Sequence, residues 1–318
     1  MDYLNSSKAV EDYTTLALKF GGNGKQFNKA WKESLEDKGI VTQDVNEDDI
    51  LPKKLIAPIA AAIDASPVLS ALKITYNVEA GSIAIEPVNT VGALGHKRGA
   101  TKTVQQTTLT TRDLVPKAIY KLQKLDHMTF LKGGALVEWV MTELPLYVVQ
   151  RLAQAVLVGG VKNEDGSDFT AVRAIVGDSL ANTIKLADDA SNGDVFAAIM
   201  DALTNTRSVV GNRILFIRAD TYNKLLQVGD GIGMAIFTGM GQLPASKIVV
   251  VSEADVPGMP AFIVLDADSY LLGFAGSGVE TLGAFEIMTN SQVIESRAYV
   301  FGTLTRAGAA TVATVPAP

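Results

Sequence analysis

The chain has 318 residues, of which 47% are hydrophobic and 19% charged, with a formal net charge of −6. That length suits two domains better than one, and the hydrophobic share excludes global disorder, which needs low hydrophobicity with high charge. The absence of cysteine excludes a disulfide framework, thiolate metal sites and thiol catalysis.

Area scaling for 33.6 kDa lets about three-quarters of the unfolded surface be buried on folding. The charged share lies below the usual quarter, which points to surface covered between subunits. A pI near 5.1 argues against a protein whose whole surface grips nucleic acid. The charge is unevenly placed. Residues 90–124 hold Lys97, Arg98, Lys102, Arg112, Lys117, Lys121 and Lys124 against Asp113 alone, a net +6. Residues 163–201 hold eight acids (Glu164, Asp165, Asp168, Asp178, Asp188, Asp189, Asp194 and Asp201) against Arg173 and Lys185, a net −6. Opposite patches on one chain suit self-association as well as ligand binding, and an ordinary solvated surface accounts for them equally well.

Met1-Asp2-Tyr3-Leu4-Asn5 lacks the basic start and apolar run of an export signal. The first fifty residues read as two short polar helices, 8–19 and 26–38, around the Gly21-Gly22-Asn23-Gly24 breaker. The acidic stretch 43–49 reads as a linker. Its Asp44-x-Asn46-x-Asp48 spacing is not a calcium loop, because Asp49 stands where the turn needs glycine and Leu55 where it needs glutamate. A helix is expected over 54–63, closed by Pro67. Residues 71–125 read as extended, with Ser82–Val88 alternating like a strand and 104–125 rich in Thr, Val, Ile and Tyr. Between them Asn89–Thr103 is glycine-punctuated, basic and nearly without bulky apolar side chains, so it reads as the tip of a projecting two-stranded loop.

Val137, Met141, Leu144, Val148, Leu152 and Val156 recur at three- and four-residue intervals, predicting one long amphipathic helix over 133–158 with its core face on those positions. Glu138, Glu143, Gln150, Arg151 and Pro145 make that stretch unsuitable as a membrane span. A turn is expected at 163–167. A second helix is expected over 194–208 after the capping candidates Ser191 and Asn192, then a buried strand at 213–217 and a short helix at 220–228. Strands are expected at 247–251, 261–265, 270–274, 279–288 and 293–304, the last presenting a basic and aromatic face (Arg297, Tyr299, Phe301). The small-residue tail, 308–318, is expected to fray.

Catalytic constellations are thin. His96 and His127 lack thiolates and any H-E-x-x-H spacing, and read as solvent-facing side chains. No G-x-S-x-G elbow or phosphate-binding G-x-x-x-x-G-K-[ST] occurs. The glycine run from Gly229 to Gly241 follows a helix where a nucleotide fold needs it between a strand and a helix, so it reads as a surface loop. Trp31 and Trp139 read as packing anchors. No metal, cofactor or catalytic residue is expected.

The order of the pieces carries more than any motif. Ala155-Val156-Leu157-Val158-Gly159-Gly160 ends the long helix before an Asn-Glu-Asp-Gly turn. Ile214-Leu215-Phe216-Ile217-Arg218-Ala219-Asp220-Thr221-Tyr222 follows, then Leu243-Pro244-Ala245-Ser246-Lys247 into Ile248–Ser252. Val264-Leu265-Asp266-Ala267-Asp268-Ser269-Tyr270 precedes Gly283-Ala284-Phe285 and the strand Ile294–Leu304. Over roughly residues 50–312 this order resembles the major capsid protein family of tailed bacteriophages. The resemblance implies an α+β fold with 1–50 as an N-terminal arm or scaffold-like segment and 51–76 as the start of the peripheral domain. It further implies 77–113 as an extended loop, 114–177 as the peripheral domain with its spine helix, 178–286 as an axial domain, and 287–318 as a return strand and tail.

On the same analogy the chain assembles with itself into hexamers and pentamers of an icosahedral head around double-stranded DNA, held non-specifically. Scaffolding and portal proteins are further partners, and the location is the virion, with the host cytoplasm during assembly. Lys97, Arg98 and Lys102 are the expected intersubunit contacts at the loop tip, with the 163–201 acids as acceptors by sign alone. The segment before residue 50 is shorter than the cleaved scaffolding segment of many members, and two readings stay open for it: a retained arm with scaffolding supplied separately, or a scaffold-like segment that is cleaved. Lys97 and Lys102 are available for the lysine–asparagine cross-link of some members, but no partner is identifiable and none is expected. Two other readings stay open: an encapsulin-type compartment shell, and a nucleotide-dependent enzyme using Gly229–Gly241.

Overall fold

The computed structural model describes residues 62–85, 110–126, 134–187, 190–208, 210–228, 243–276, 278–286 and 291–314, together with 12, 16, 29–30, 33–35 and 37–38 near the N-terminus. In chain order the elements are β1 (Ile74–Thr75), β2 (Gly81–Ile85), β3 (Thr110–Leu114), β4 (Lys117–Asp126), α1 (Gly134–Leu157), β5 (Ala181–Lys185), α2 (Asn192–Asn205), β6 (Arg213–Arg218), α3 (Ala219–Leu226), β7 (Lys247–Val251), β8 (Phe262–Asp266), β9 (Tyr270–Phe274), β10 (Glu280–Glu286), β11 (Ser291–Leu304) and β12 (Ala310–Thr314). Two compact units emerge. One gathers 1–66, 118–149 and 277–299, the other 67–117, 150–276 and 300–318. The boundaries fall within α1 and within β11, so both elements contribute residues to each unit.

The larger unit is organised by a sheet in the order β5-β12-β8-β6-β7. Ile214, Leu215, Phe216 and Ile217 on β6 and all five residues of β8 are buried. Strands covered on both faces read as continuous apolar runs, which is why neither alternates. α2 lays Val195, Ile199, Ala202 and Leu203 against Leu215, Ile217, Phe262 and Val264, a spacing that keeps them on one helical face. Its start is set by a capping box. Ser191 Oγ accepts from the Asp194 amide at 3.2 Å, and Asp194 Oδ2 accepts from the Ser191 amide at 3.0 Å. The helix therefore begins at 192, two residues before the expected start. It stops at Asn205 rather than 208 because Thr206 turns extended and shares a 2.6 Å hydrogen bond with Thr311.

The expectation of a frayed tail is corrected over 308–314, while 315–318 lie outside the described residues. β12 runs parallel to β5 and antiparallel to β8, and Ala309, Ala310, Val312 and Ala313 are buried. A terminus of small residues carries little apolar surface, but a strand bonded along both edges is held by its backbone ladders. The Asp266 amide donates to Ala309 O at 2.8 Å and the Leu186 amide to Thr314 O at 2.9 Å. The residues after the long strand thus belong to the sheet of β6 and β8.

In the same unit β1 pairs parallel with β9, and β9 pairs antiparallel with residues 300–304 of β11. Phe301 is buried there opposite Gly273. It does not share the exposure of Tyr299, as the expected basic and aromatic face required, because Gly273 leaves room for its ring. In the smaller unit residues 291–297 of β11 pair with β10.

Of the expected extended stretch 104–125, the described part from 110 onward forms β3 and β4, separated at Val115-Pro116, where proline removes a ladder donor. Of the helix expected at 54–63 only its end at Ala62–Ile63 lies among the described residues, continuing to Ala65. α1 carries Leu144 and Val148 buried in the smaller unit and Leu152, Val156 and Leu157 buried in the larger. Val137 and Met141 lie on α1, with side chains outside the described set. α1 closes at Gly159 (φ 77°) and Gly160 (φ 70°), where the Val158 and Gly159 amides both reach Gln154 O at 2.9 Å. A Cβ on Gly159 would also stand 3.1 Å from that of Ala174.

Candidate functional site

The chain leaves the β9 edge at Asn77, a non-glycine residue with φ 56°, after the Val78 amide has reached Phe274 O at 3.0 Å. It then forms the antiparallel pair β2–β3, from Gly81↔Leu114 to Ile85↔Thr110. This ladder is a two-stranded sheet of its own, joined to neither larger sheet. Residues 86–109 connect its strands and lie outside the described residues, as do Lys97, Arg98, Lys102 and His96. Ile85 and Leu114 are buried, while the other residues of both strands are exposed or half-buried.

Arg112 is the directional anchor. Nη1 donates to Asp178 Oδ2 and to Thr303 Oγ1, each at 2.8 Å, and Nη2 donates to Asp178 Oδ1 at 2.8 Å and to Ser179 Oγ at 3.4 Å. The side chains are 10% and 3% exposed, so the pair is desolvated and fork-to-fork, the strong form of charge-assisted hydrogen bonding. Asp178 Oδ1 accepts a further bond from the Leu180 amide at 2.9 Å. Nearby, the Tyr270 hydroxyl donates to Arg173 O at 2.8 Å, under Gly302, where a Cβ would stand 2.7 Å from that oxygen. Burial first, and then the Asp178 carboxylate, push the Tyr270 phenol well above its ordinary range.

A groove of about 790 Å³ runs beside this anchor, bounded by Lys117, Gly159, Asp168, Ala171 and Gly302 among others. Two of its charged side chains have polar neighbours close by. Lys162 Nζ donates to Asp168 Oδ1 at 2.6 Å, and Lys117 Nζ lies 3.4 Å from Thr170 Oγ1. No set of three His, Asp or Glu side chains among the described residues is placed to hold a metal ion, and His127 and the glycine run 229–241 lie outside that set. No described helix is long and apolar enough to cross a membrane.

The two charged runs read from the sequence are joined inside the chain by one ion pair. Arg112 comes from the basic run and Asp178 from the acidic one. Other acids serve their own turns. Asp165 accepts from Ser167 Oγ at 2.6 Å and from its amide at 2.9 Å, and those bonds, the hydroxyl first, hold its carboxyl below the usual range. Asp194 is in the capping box, where Ser191 lowers it in the same way. Asp201 accepts from Asn205 Nδ2 at 2.6 Å. Asp188 and Asp189 lie outside the described residues. Sequence reasoning missed the anchor because its partners lie 66 and 191 positions away. The available signal was an arginine within the strand-forming run Thr110-Thr111-Arg112-Asp113-Leu114, in a basic stretch whose other cations are mostly lysines.

The fold is similar along most of its length to subunits of solved particles. The virus-like particle from Pyrococcus furiosus matches with a TM-score of 0.58 at 14% identity, over 82% of this chain and 98% of that one. The capsid of the native GTA particle matches with a TM-score of 0.59 at 10% identity, over 80% and 90%. This chain has the fold of a tailed-phage capsid subunit. In sequence, the capsid protein of Lactococcus phage p2 is 27% identical over 231 residues, which are 71% of this chain and 57% of that protein. The chain thus spans somewhat more than half the length of the curated relative. No family model matches.

Proposed function

We propose that this protein is a major capsid protein that assembles with itself into hexamers and pentamers of an icosahedral phage head around double-stranded DNA. The observation that carries the reading is the agreement of two independent likenesses: the capsid fold along four-fifths of the chain, and 27% identity to a phage capsid protein across most of the same length. A structural role follows, with the contacts between copies as its chemistry. Scaffolding and portal proteins are the further partners, and the virion is the site of action after assembly in the host cytoplasm. Residues 77–113 act as the arm between subunits, with Lys97, Arg98 and Lys102 at its tip, and 178–286 form the axial region.

An isolated two-stranded ribbon is marginal in water, so a separate β2–β3 ladder with mostly exposed strands fits a protein that completes this part against a neighbour. Charged rims steer such contacts more than they strengthen them. The encapsulin-type compartment is the alternative reading, and this chain's 27% identity to a phage capsid protein favours the phage head over it. Portal, terminase and protease genes beside this one favour the phage head, and a cargo-enzyme gene favours the compartment.

Size-exclusion chromatography with negative-stain microscopy of the purified chain tests assembly directly. Shells or capsomer rings are expected. A protein that stays monomeric or dimeric at all concentrations and salt conditions overturns the reading.

A further inference from the structure

We propose that Arg112 is the positioning residue of the hairpin arm, a latch that sets the direction in which β2–β3 leaves the body of the larger unit. The ladder has no backbone pairing to either five-stranded sheet, and the main-chain bonds nearest to it, Asn77 N to Gly276 O at 3.1 Å and Val78 N to Phe274 O at 3.0 Å, lie before β2 begins. Burial of Ile85 and Leu114 holds it down, but apolar burial is non-directional. Within the described residues of the two strands, the guanidinium fork is the directional contact to the body. It needs both Asp178 oxygens and Thr303 Oγ1 at once, all at 2.8 Å.

The acceptors belong to a scaffold that cannot follow the arm. Thr303 sits in the β9–β11 ladder opposite Leu271. Asp178 is pinned by the Leu180 amide at 2.9 Å, and the Ala181 amide reaches Asp178 O at 3.0 Å at the start of β5. The arginine rides on the arm and its partners stay with the body. A desolvated ion pair that loses its geometry leaves two uncompensated buried charges, so partial engagement is disfavoured and the latch is either closed or open. A rim pair in water would yield gradually. The consequence for assembly rests on the capsid reading; the latch itself does not.

The test uses the full-length chain and two variants, Arg112→Lys, which keeps the charge but loses the fork, and Asp178→Asn, which keeps an acceptor for the Leu180 amide. Hydrogen exchange is followed in 81–85 and 110–114, with 213–218 and 262–266 as internal references, and shell yield is measured by sedimentation. Charge-assisted hydrogen bonds of this kind predict roughly tenfold or greater acceleration in the hairpin strands, unchanged reference strands, and a comparable loss of shells. Unchanged hairpin exchange in both variants overturns the latch. Equal acceleration of hairpin and reference strands also overturns it, since Arg112 would then be a general stabiliser. Accelerated hairpin exchange in a wild-type background that forms no shells keeps the latch and defeats the capsid reading. Unchanged exchange beside normal wild-type shells does the reverse.

Discussion

Gly273 faces Phe301 across the β9–β11 ladder, and a Cβ there would stand only 2.2 Å from Phe301 Cζ. The ring is fully buried, so it has nowhere to retreat. Gly273→Ala is expected to cost about 1–3 kcal/mol through overpacking, read as a lower melting temperature, and adding Phe301→Leu should recover part of the loss. Asp220 gives a second test at this scale. Its carboxylate receives Arg218 Nε at 2.6 Å and Nη2 at 2.8 Å, and caps the Thr221 amide at 2.6 Å. The arginine bond, ahead of the amide bond, holds the carboxyl below its usual range. A depressed folded value means stability that is present above the unfolded pKa of about 3.9 and lost as pH falls through the folded one. Asp220→Asn should therefore melt below the wild type at pH 7, by at most about 1 kcal/mol for so exposed a pair. The gap should close in acid.

Two elements carry the strongest consequences. On α1, Leu144 is 1% exposed, and Leu144→Ala should cost roughly 2–5 kcal/mol, a large part of a typical domain's stability. Loss of soluble protein is the expected readout, and unchanged melting for the harsher Leu144→Asp would show that this face is not core. β12 is the strand between β5 and β8. Truncation after Gly308 removes it and strips both neighbours of a ladder, so insoluble protein is expected, whereas truncation after Thr314 leaves the sheet complete and should preserve the wild-type melting temperature. The element-level reading from the sequence was close where neighbours in sequence carry the signal. Strands 247–251 and 270–274 stand where alternation and apolar runs put them, and Ser191 caps α2 as its residue type suggests. It erred at 308–314, because the apolar content of a segment says nothing about the ladders available on either side of it.

At the scale of the whole molecule the question is which charges are left for other copies. Asp165, Asp168, Asp178, Asp194 and Asp201 each have a partner within the chain, which weakens the 163–201 cluster as the acceptor of a neighbour's basic tip. The proposed role of Lys97, Arg98 and Lys102 still makes a sharp expectation. Reversing all three to Glu should impair assembly while leaving the subunit's melting within about 0.5 kcal/mol, as for surface substitutions generally. Added salt should weaken the early wild-type contacts. Normal shells from the triple variant, followed by light scattering, would remove the electrostatic role.

What the sequence determined by itself is the set of features that depend on residues close along the chain: the three- and four-residue stripe of α1, its glycine stop at Gly159-Gly160, the apolar runs of β6 and β8, and the order of elements that resembles phage capsid proteins. Tertiary structure alone decided the rest. Arg112 reaches Asp178 across 66 positions, Thr206 reaches Thr311 across 105, and β12 enters the sheet between β5 and β8. In each case the partner is chosen by how the chain returns on itself, and the local pattern of a lone arginine or a run of alanines is the same whether that partner arrives or not.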